Sequence, residues 1–568
     1  MDYDCRIVGG TIIDGTGGER FKADIGIKDG RIAAVGKAGG SLSGSATQTI
    51  DADGLVVAPG VIDVHTHYDA QVMWDRAVSI SPWHGVTSMV MGNCGFGVAP
   101  TRAHEHELII QTLEYVEGMS PTALRKGLGS NWGFETFRQY LAKIEAMGAT
   151  ANIGVLAGHT PIRIHVMGED AFEREARPDE IAAMQALLRD AFAAGAVGFS
   201  TSGSNNHVGY MGKPVPSRHA SFEETRALAG VMREVGAGVF QATVGPQMFY
   251  EQFEAIHADT SRPVTWSALL GSYWGPGSHK KHLAQFIDYQ ARNIPIVPQV
   301  ACRPIMIDFS FADPVPFITR GFFKPVAEAD DAGRRRLYAD PAFRAVLKAE
   351  YNEHTKRQLT LWAAKATISL HPTRPELNET PLAAEAARRG VDPVDAALDI
   401  ALETDLAARY RIAMSNSVES EIEEILRVKG PLVSLSDAGA HAAQLCDACY
   451  STTLLGYWAR DKGVLTLEDA VARLTSQPAD LFGFGDRGRL LAGKAADIMI
   501  FDPKTIAASP LRRLNDLPGG EVRLVSDAIG MQLVMVNGQV VRRDGRDTLA
   551  PDGPLPGQML RSAAYRPA

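Results

Sequence analysis

The feature that most constrains the fold is the alternation of short apolar runs with amphipathic helical windows between residues 58 and 480. This alternation predicts strand–helix units and a parallel sheet, because parallel strands need crossover connections that are usually helical. Eight runs qualify as strands, which is the number a (β/α)8 barrel requires. The runs are 60–67, 86–93, 152–158, 196–201, 238–244, 263–270, 294–301 and 432–437. The predicted fold class is therefore α/β, with a TIM-type barrel over residues 58–480.

The two ends of the chain consist of short, Gly-punctuated pieces that resemble strands. Asp29-Gly30 between two alternating runs indicates a hairpin. Neither end offers enough strands to be stable alone. We therefore expect residues 1–57 and 481–545 to pair into one small β-sandwich domain, with 546–568 as a C-terminal tail.

The stretch from about 305 to 375 does not fit the short connections of a plain barrel. It is rich in Phe, Pro and Arg, and we interpret it as an insertion after the seventh strand. It lies on the face where barrel loops build active sites. A substrate lid and a packing or oligomer-contact role are the two interpretations.

Composition excludes several classes of function. The 568 residues are 45% hydrophobic and carry a net charge of −9, which argues against a nucleic-acid partner. No apolar run approaches the ~18 residues that span a bilayer, and the acidic N-terminus is unlike a signal peptide. We expect a cytoplasmic protein with a small-molecule substrate and no membrane partner, and we allow for a homo-oligomer. The five cysteines do not suggest a disulfide framework, and we interpret Cys446 and Cys449 as an incidental CxxC pair.

The strongest local signal is an apolar strand that ends in His65-Thr66-His67. Residues two apart in a strand point to the same face, so both imidazoles converge on one point. Neutral imidazole is a preferred zinc ligand, and barrel catalysis occurs at the carboxyl ends of the strands. By itself, a His-x-His pair also occurs by chance at strand tips.

Two further strand ends carry groups that suit a metal. Cys94 ends the second strand between small residues, and Asp437 ends the eighth. A thiolate is a good zinc ligand, and a carboxylate can bind a metal and take a proton from water. The alternatives are a buried structural cysteine and a helix N-cap aspartate.

Taken together, these segments resemble the amidohydrolase superfamily, and more narrowly its N-acyl-D-amino-acid deacylase (D-aminoacylase) branch. The matching segments are His65-Thr66-His67, 92–95, Ser436-Asp437, 158–163, 166–168, 195–201, 475–479 and 488–497. The resemblance implies that His65 and His67 bind one metal, that Cys94 binds or bridges metal, and that Asp437 is the general acid/base. It implies hydrolysis of an N-acyl amino acid to a carboxylate and an amine.

The sequence departs from that family at the fifth and sixth strands, where the deacylases carry histidines that hold zinc. The corresponding runs here contain Gln241, Thr243 and Ser267, which are poor zinc ligands. We therefore favour a single Zn²⁺ held by His65, His67, Cys94 and Asp437. The alternatives are recruitment of another histidine, or a site that has lost hydrolytic function; the histidines considered are His159, His207 and His441.

Several residues in predicted strand-end loops are candidates for substrate binding. Arg163 and Arg303 could bind a substrate carboxylate through their guanidinium forks, although a structural ion pair is the slightly favoured explanation for each. His207, His441 and Tyr210 are the remaining candidates. Trp266 and Trp274 suit an apolar pocket or the core.

Three functions remain open on this evidence. The first is hydrolysis of a linear amide such as an N-acyl amino acid. The second keeps the metal but changes the substrate to a cyclic amide, an ester or a lactone. The third is a small-molecule-binding barrel without catalysis, which the missing histidines favour and the retained quartet of His65, His67, Cys94 and Asp437 opposes.

Overall fold

The structure is a computed structural model that describes residues 2–37, 39–209, 212–318, 320–354, 359–550 and 552–567. Its central sheet contains eight parallel strands in chain order, each overlapping one of the predicted runs. They are Val61–Asp63, Val86–Met91, Asn152–Gly158, Gly198–Ser202, Val239–Thr243, Val264–Leu269, Ile296–Val300 and Leu432–Val433.

The last segment of this sheet returns to the first. Thr66 and Ala438 form a parallel bridge, and the His67 amide donates to the Ala438 carbonyl at 2.7 Å. This contact between the two ends of the curled parallel sheet is consistent with a (β/α)8 barrel. It also brings the segment after the first strand against the segment after the eighth.

The helix after the fourth strand has a capping residue at each end. The Ser221 hydroxyl accepts a hydrogen bond from the Glu224 amide at 3.1 Å, so the helix begins at Phe222. It ends before Gly236, whose φ of 67° is left-handed. The helices of the barrel are His106–Val116, Pro121–Leu128, Phe137–Met147, His159–Met167, Pro178–Ala194, Phe222–Val235, Tyr250–Thr260, His279–Ala291, Glu419–Arg427, Tyr450–Thr453, Leu454–Asp461 (a π-helix), Leu467–Leu474 and Ser476–Phe482.

Strands from the two ends of the chain pair with each other. Val56–Pro59 is antiparallel to Ile498–Phe501 within a seven-stranded sheet. A four-stranded sheet from the N-terminal segment shares one apolar core with it. The larger sheet also contains Thr11–Ile12, Phe21–Lys22, Met531–Val536, Gln539–Arg543 and Arg546–Asp547, and the smaller contains Tyr3–Val8, Ile25–Lys28, Arg31–Val35 and Ala46–Asp51.

Two further hairpin-like pairs and the C-terminal segment complete these regions. Arg512–Leu517 pairs with Glu521–Val525, and Ala507–Ala508 with Ala528–Ile529. Met559–Leu560 runs parallel to the third barrel strand. The segment after residue 545 is therefore bound to the barrel through backbone pairing.

The insertion after the seventh strand forms a unit with its own sheet and apolar core. Ile305–Ser310 pairs with Arg409–Ser415 across about a hundred residues, and a cluster that includes Phe309 and Ile412 fills the interior. The unit continues to Ser415, beyond residue 375. Its other elements are Thr367–Leu370, Thr380–Pro381, Lys324–Ala327, Asp331–Ala339, Pro341–Glu350, Trp362–Lys365, Leu382–Arg389 and Pro393–Glu403.

Across the described ranges, every helix is too short or too polar to cross a membrane.

Candidate metal centre

Two imidazoles converge just beyond the first barrel strand. His65 and His67 are 1% and 3% exposed, and their ring centroids lie 5.3 Å apart. The chain is extended here, so the alternating side chains at the two positions face the same interior. The strand therefore places two potential ligands at the carboxyl end of the curled sheet.

Cys94 joins this pair from the end of the second strand. Its Sγ lies 3.4 Å from His65 Nε2. The chain turns sharply here, with Gly92 and Cys94 in the left-handed region at φ 83° and 57°. A side chain at position 92 would clash with the Leu156 carbonyl, whose oxygen lies 2.3 Å from an ideal Cβ. This turn directs the thiol into the barrel mouth.

Asp437 closes the group from the eighth strand. Its Oδ1 lies 3.2 Å from His65 Nε2 and 3.7 Å from His67 Nε2. The side chain is 28% exposed and lines a small cleft together with Tyr68 and Cys446. Asp437 is thus positioned between the two imidazoles and the open side of the site.

The donor atoms have the spacing that a small cation requires. Those of His65, His67 and Cys94 all lie within 4.8 Å of one another. Tetrahedral zinc, with bonds of about 2.0–2.3 Å, places neighbouring ligands roughly 3.3–3.7 Å apart. The observed contacts of 3.2, 3.4 and 3.7 Å between nitrogen, sulfur and oxygen lie in or close to that range. The residue types and the spacing of their donor atoms therefore suit a metal ion.

The electrostatics of the group show how strongly its members interact. Burial acts to raise the pKa of Cys94, but the charge and hydrogen bond of His65 outweigh it and lower that pKa to about 6. Burial acts to lower the pKa of His65, but Cys94 and Asp437 raise it to about 9. For Asp437, interactions with His67 and His65 outweigh burial and hold the pKa below its ordinary value. A thiolate and a carboxylate therefore lie together where a cation would balance them.

The outer nitrogen of each imidazole has a polar neighbour. His65 Nδ1 lies 2.5 Å from Gln299 Oε1, and this hydrogen bond turns the ring so that Nε2 faces the centre. His67 Nδ1 lies 3.4 Å from Glu117 Oε1 and makes no hydrogen bond within the described residues. Such outer partners fix the orientation and tautomer of metal-binding histidines.

Glu117 and Gln299 were not predicted from the sequence. Glu117 follows the helix His106–Val116 and is 3% exposed, and burial raises its pKa to about 8. Nothing in the sequence indicated Glu117, because no motif includes it and a glutamate at a helix end is usually exposed to solvent. Gln299 lies near the end of the seventh strand. Its position at a predicted strand end was the one feature of the sequence that could have indicated a role in the site.

The fifth and sixth strands carry a neutral hydrogen-bonded network in place of histidines. Gln241 Oε1 accepts a hydrogen bond from the Cys94 amide at 2.7 Å. Its Nε2 donates to Ser267 Oγ at 3.3 Å, and Ser267 lies 3.2 Å from Thr243 Oγ1. The amide and hydroxyl groups at these positions therefore satisfy one another.

Two predicted loop histidines lie near the centre. His207 Nδ1 lies 2.7 Å from Ser202 Oγ, and its ring contacts Phe96 at 5.2 Å between centroids. Burial, with the charge of His67, lowers the pKa of His207 to about 3. His441 is half-buried, and its amide donates to the Glu117 carbonyl at 2.5 Å.

The predicted arginines are engaged elsewhere. Arg163 is fully buried, and Nη1 lies 2.5 Å from the Glu224 carboxylate. His159 bonds the same carboxylate at 2.9 Å and does not join the metal group. Arg303 pairs with Asp447 at 3.1 Å.

The remaining candidates divide between the core, the surface and the undescribed part of the chain. Trp266 is 1% exposed and belongs to the barrel core, whereas Trp274 is 42% exposed. Tyr210 lies outside the described residues. Cys446 and Cys449 are buried free thiols.

Comparison with known proteins gives one family. The amidohydrolase family profile matches residues 48–542. D-aminoacylase of Alcaligenes xylosoxydans xylosoxydans is 30% identical over 517 residues, covering 89% of each chain. N-acyl-D-glutamate deacylase of the same organism is 28% identical over 564 residues, covering 99% of this chain and 97% of the relative.

Solved structures agree with this relationship. A D-aminoacylase described by one-metal activation and second-metal attenuation in a binuclear metal centre superimposes with a TM-score of 0.67. It has 27% identity and covers 98% of this chain and 100% of its own. N-acyl-D-glutamate deacylase from Bordetella bronchiseptica, complexed with zinc and a phosphonate inhibitor, gives a TM-score of 0.66 at 27% identity and covers 99% and 100%. The chain, with its eight parallel strands and its His-x-His, Cys and Asp group at their carboxyl ends, belongs to the amidohydrolase family.

Proposed function

We propose that this protein is a metal-dependent amidohydrolase that cleaves the C–N bond of an N-acyl amino acid, releasing a carboxylate and an amine. The observation that carries the proposal is the convergence of His65, His67, Cys94 and Asp437 from three distant segments. The relatives are deacylases of N-acyl-D-amino acids by name, which supports the same substrate class here.

A single Zn²⁺ is the cofactor that the donor set favours. Two imidazoles, a thiolate and a carboxylate suit zinc better than a hard cation, which prefers oxygen ligands. The neutral side chains of Gln241 and Ser267 occupy the positions where a second ion would need histidines. When bound, the metal supplies Lewis-acid polarisation of the amide carbonyl and acidification of water.

The residues of the chain supply the proton transfers. Asp437 is ionised at neutral pH because its pKa is lowered, so it can accept a proton from the attacking water. Asp437 then delivers that proton to the leaving nitrogen as the C–N bond breaks and the new C–O bond persists. His207 and His441 lie close enough to Asp437 for their charges to interact with its carboxylate. We assign both histidines to substrate contact.

The terminal segments and the insertion after the seventh strand have proposed roles around this site. We propose that residues 1–57 and 481–545 form a β-sandwich that supports the barrel at 58–480, and that the insertion after the seventh strand covers the substrate side. The shared apolar core of the two terminal sheets supports the sandwich, and the hydrogen bond from the Asp308 amide to the Gln444 carbonyl at 2.7 Å supports contact between the insertion and the loop after Asp437.

The test is a substrate panel combined with metal analysis. Purified protein grown with zinc is assayed with N-acetyl-D- and N-acetyl-L-amino acids, a hydantoin, an aryl ester and a lactone. We expect amide hydrolysis with about one metal per chain. Turnover of the cyclic amide, ester or lactone without the linear amides would reassign the substrate, and absence of metal together with absence of turnover would overturn the proposal.

A further inference from the structure

The turn that carries Cys94 has a backbone conformation that a cysteine does not favour. Cys94 adopts φ 57°, in the left-handed region, between Gly92 at 83° and Gly95 at 77°. A residue with a Cβ is strained at such an angle, and the conformation persists where surrounding contacts hold it. Cys94 is buried, so the contacts that hold this turn must come from neighbouring strands rather than from water.

One hydroxyl group of the fourth strand bonds the turn on both sides of Cys94. Ser200 Oγ donates to the Gly92 carbonyl and accepts from the Gly95 amide at 3.1 Å. A serine hydroxyl has one donor and two acceptor positions, so it can make both bonds at once. Because Ser200 is fully buried, water cannot take its place. A single side chain therefore fixes the two backbone positions that enclose Cys94.

A side-chain amide of the fifth strand holds Cys94 itself. The Cys94 amide donates to Gln241 Oε1 at 2.7 Å. Gln241 Nε2 donates to Ser267 Oγ at 3.3 Å, so the nitrogen faces the sixth strand and the carbonyl oxygen faces the turn. Together, Ser200 and Gln241 bond three successive parts of the turn from two adjacent strands.

The position of the thiol follows from the position of this backbone. Cys94 Sγ lies 3.4 Å from His65 Nε2, and the donor atoms of His65, His67 and Cys94 all lie within 4.8 Å of one another. A metal–ligand bond length is defined to about 0.2 Å. Since Sγ is attached to the backbone through Cβ alone, relaxation of φ at Cys94 would move the sulfur by more than this tolerance.

We propose that Ser200 and Gln241 are positioning residues that hold the Cys94 turn in the conformation in which the thiolate binds the metal. The proposal rests on the metal centre of the function assigned above. It gives a role in that centre to two strands whose neutral hydroxyl and amide groups are themselves poor zinc ligands.

The experiment loads the protein with Co²⁺, because a thiolate-to-cobalt charge-transfer band in the near-ultraviolet reports directly on a cysteine ligand. Cys94→Ser defines the spectrum without the thiolate. We expect Ser200→Ala to weaken or remove the band and to raise the zinc dissociation constant by about 10- to 100-fold, the effect of losing an outer partner of a metal ligand. Gln241→Asn, whose shorter side chain withdraws the carbonyl from the Cys94 amide, should act in the same direction and tests the proposal if Ser200→Ala does not fold.

Two further variants separate positioning from a general loss of stability. Ser451→Ala removes another fully buried hydroxyl, which donates to the His84 carbonyl at 2.7 Å, and should keep both the band and the zinc affinity. Ser200→Thr keeps a hydroxyl at the same position and should retain the band. Circular dichroism of each metal-free variant shows whether it is folded.

Four outcomes would overturn the proposal. They are a wild-type band and zinc affinity in both Ser200→Ala and Gln241→Asn, an equal loss in Ser451→Ala, a spectrum of Ser200→Thr like that of Ser200→Ala, and a wild-type protein that binds Co²⁺ without the band. None of these measurements involves turnover. The two proposals therefore fail separately, because loss of the band in folded variants of a protein that hydrolyses no substrate would refute the enzyme assignment alone.

Discussion

The Nδ1 atom of His67 lies 3.4 Å from the Oε1 atom of Glu117, a buried carboxylate at the end of a helix. The opposite nitrogen of the ring faces Asp437. His67 therefore connects an outer carboxylate to the centre, the arrangement that orients metal-binding histidines in other proteins.

Replacement of Glu117 by Gln should weaken zinc binding by about 10- to 100-fold above pH 8, where the Glu117 carboxyl, whose pKa burial raises to about 8, is ionised and supplies His67 with a negative charge that an amide cannot supply. The measurement is the zinc dissociation constant from competition with a chromophoric chelator. Glu114→Gln, three residues earlier and outside the centre, is the control. An unchanged dissociation constant in Glu117→Gln would assign this carboxylate a purely structural role.

Replacement of Asp437 by Asn should keep the fold and reduce kcat by about 10²–10⁴-fold, the range of general acid–base contributions. An amide cannot accept the proton from water. Steady-state kinetics on the best substrate of the panel, with the circular dichroism spectrum as the control for folding, provides the check. Wild-type kinetics would refute the assigned role.

His65→Ala and His67→Ala should each lose the metal, since each removes one of a small set of ligands. Metal content per chain by plasma mass spectrometry tests this. Removal of zinc from the wild type by a chelator should also lower Tm, because a ligand that binds the native state stabilises it. Stoichiometric metal in both variants would place the site elsewhere.

Gln241→His should create the beginning of a second metal site. The side chain is fully buried beside the Cys94 amide, so an imidazole there would lie next to the thiolate. We expect metal content to rise above about one equivalent at high zinc, with Gln241→Leu as the matched control. A variant that folds and still binds a single ion would show that ligand identity at this position does not limit the stoichiometry.

Protonation of the buried Glu224 should destabilise the protein in acid. Burial acts to raise the pKa of Glu224, but its contacts with His159 and Arg163 outweigh it and lower the pKa to about 2. A depressed folded-state pKa contributes stability above the unfolded value, and the contribution is lost as pH falls through the folded value. The effect is of the order of 3 kcal/mol.

Unfolding by urea between pH 5 and pH 2 measures this contribution. Glu224→Gln should remove it and also destabilise the protein at neutral pH, because Arg163 remains buried without its partner. Equal pH dependence in the wild type and Glu224→Gln would contradict the assignment of the acid-sensitive component to Glu224.

The curled parallel sheet could be predicted from the sequence. Each of its eight strands in chain order overlaps a predicted apolar run, because burial of a parallel strand on both faces requires continuous apolar residues. The start of a helix can also be predicted where a local capping residue sets it, as Ser221 does. The extent of the insertion could not be predicted from the sequence, because Ile305–Ser310 pairs with Arg409–Ser415, about a hundred residues later in the chain.

For the centre, the sequence alone determined the residue types that lie at the strand ends: His65 and His67, Cys94, and Asp437. Their convergence follows from parallel strands sharing one carboxyl edge. Only the tertiary structure decided which groups surround them. Glu117 and Gln299 lie next to the outer nitrogens of the two imidazoles. Arg163 forms a buried ion pair with Glu224 and is therefore not a free carboxylate-binding group. Strand ends are set by local periodicity, whereas the pairing of a buried charge depends on which distant residue the fold brings within a few ångströms.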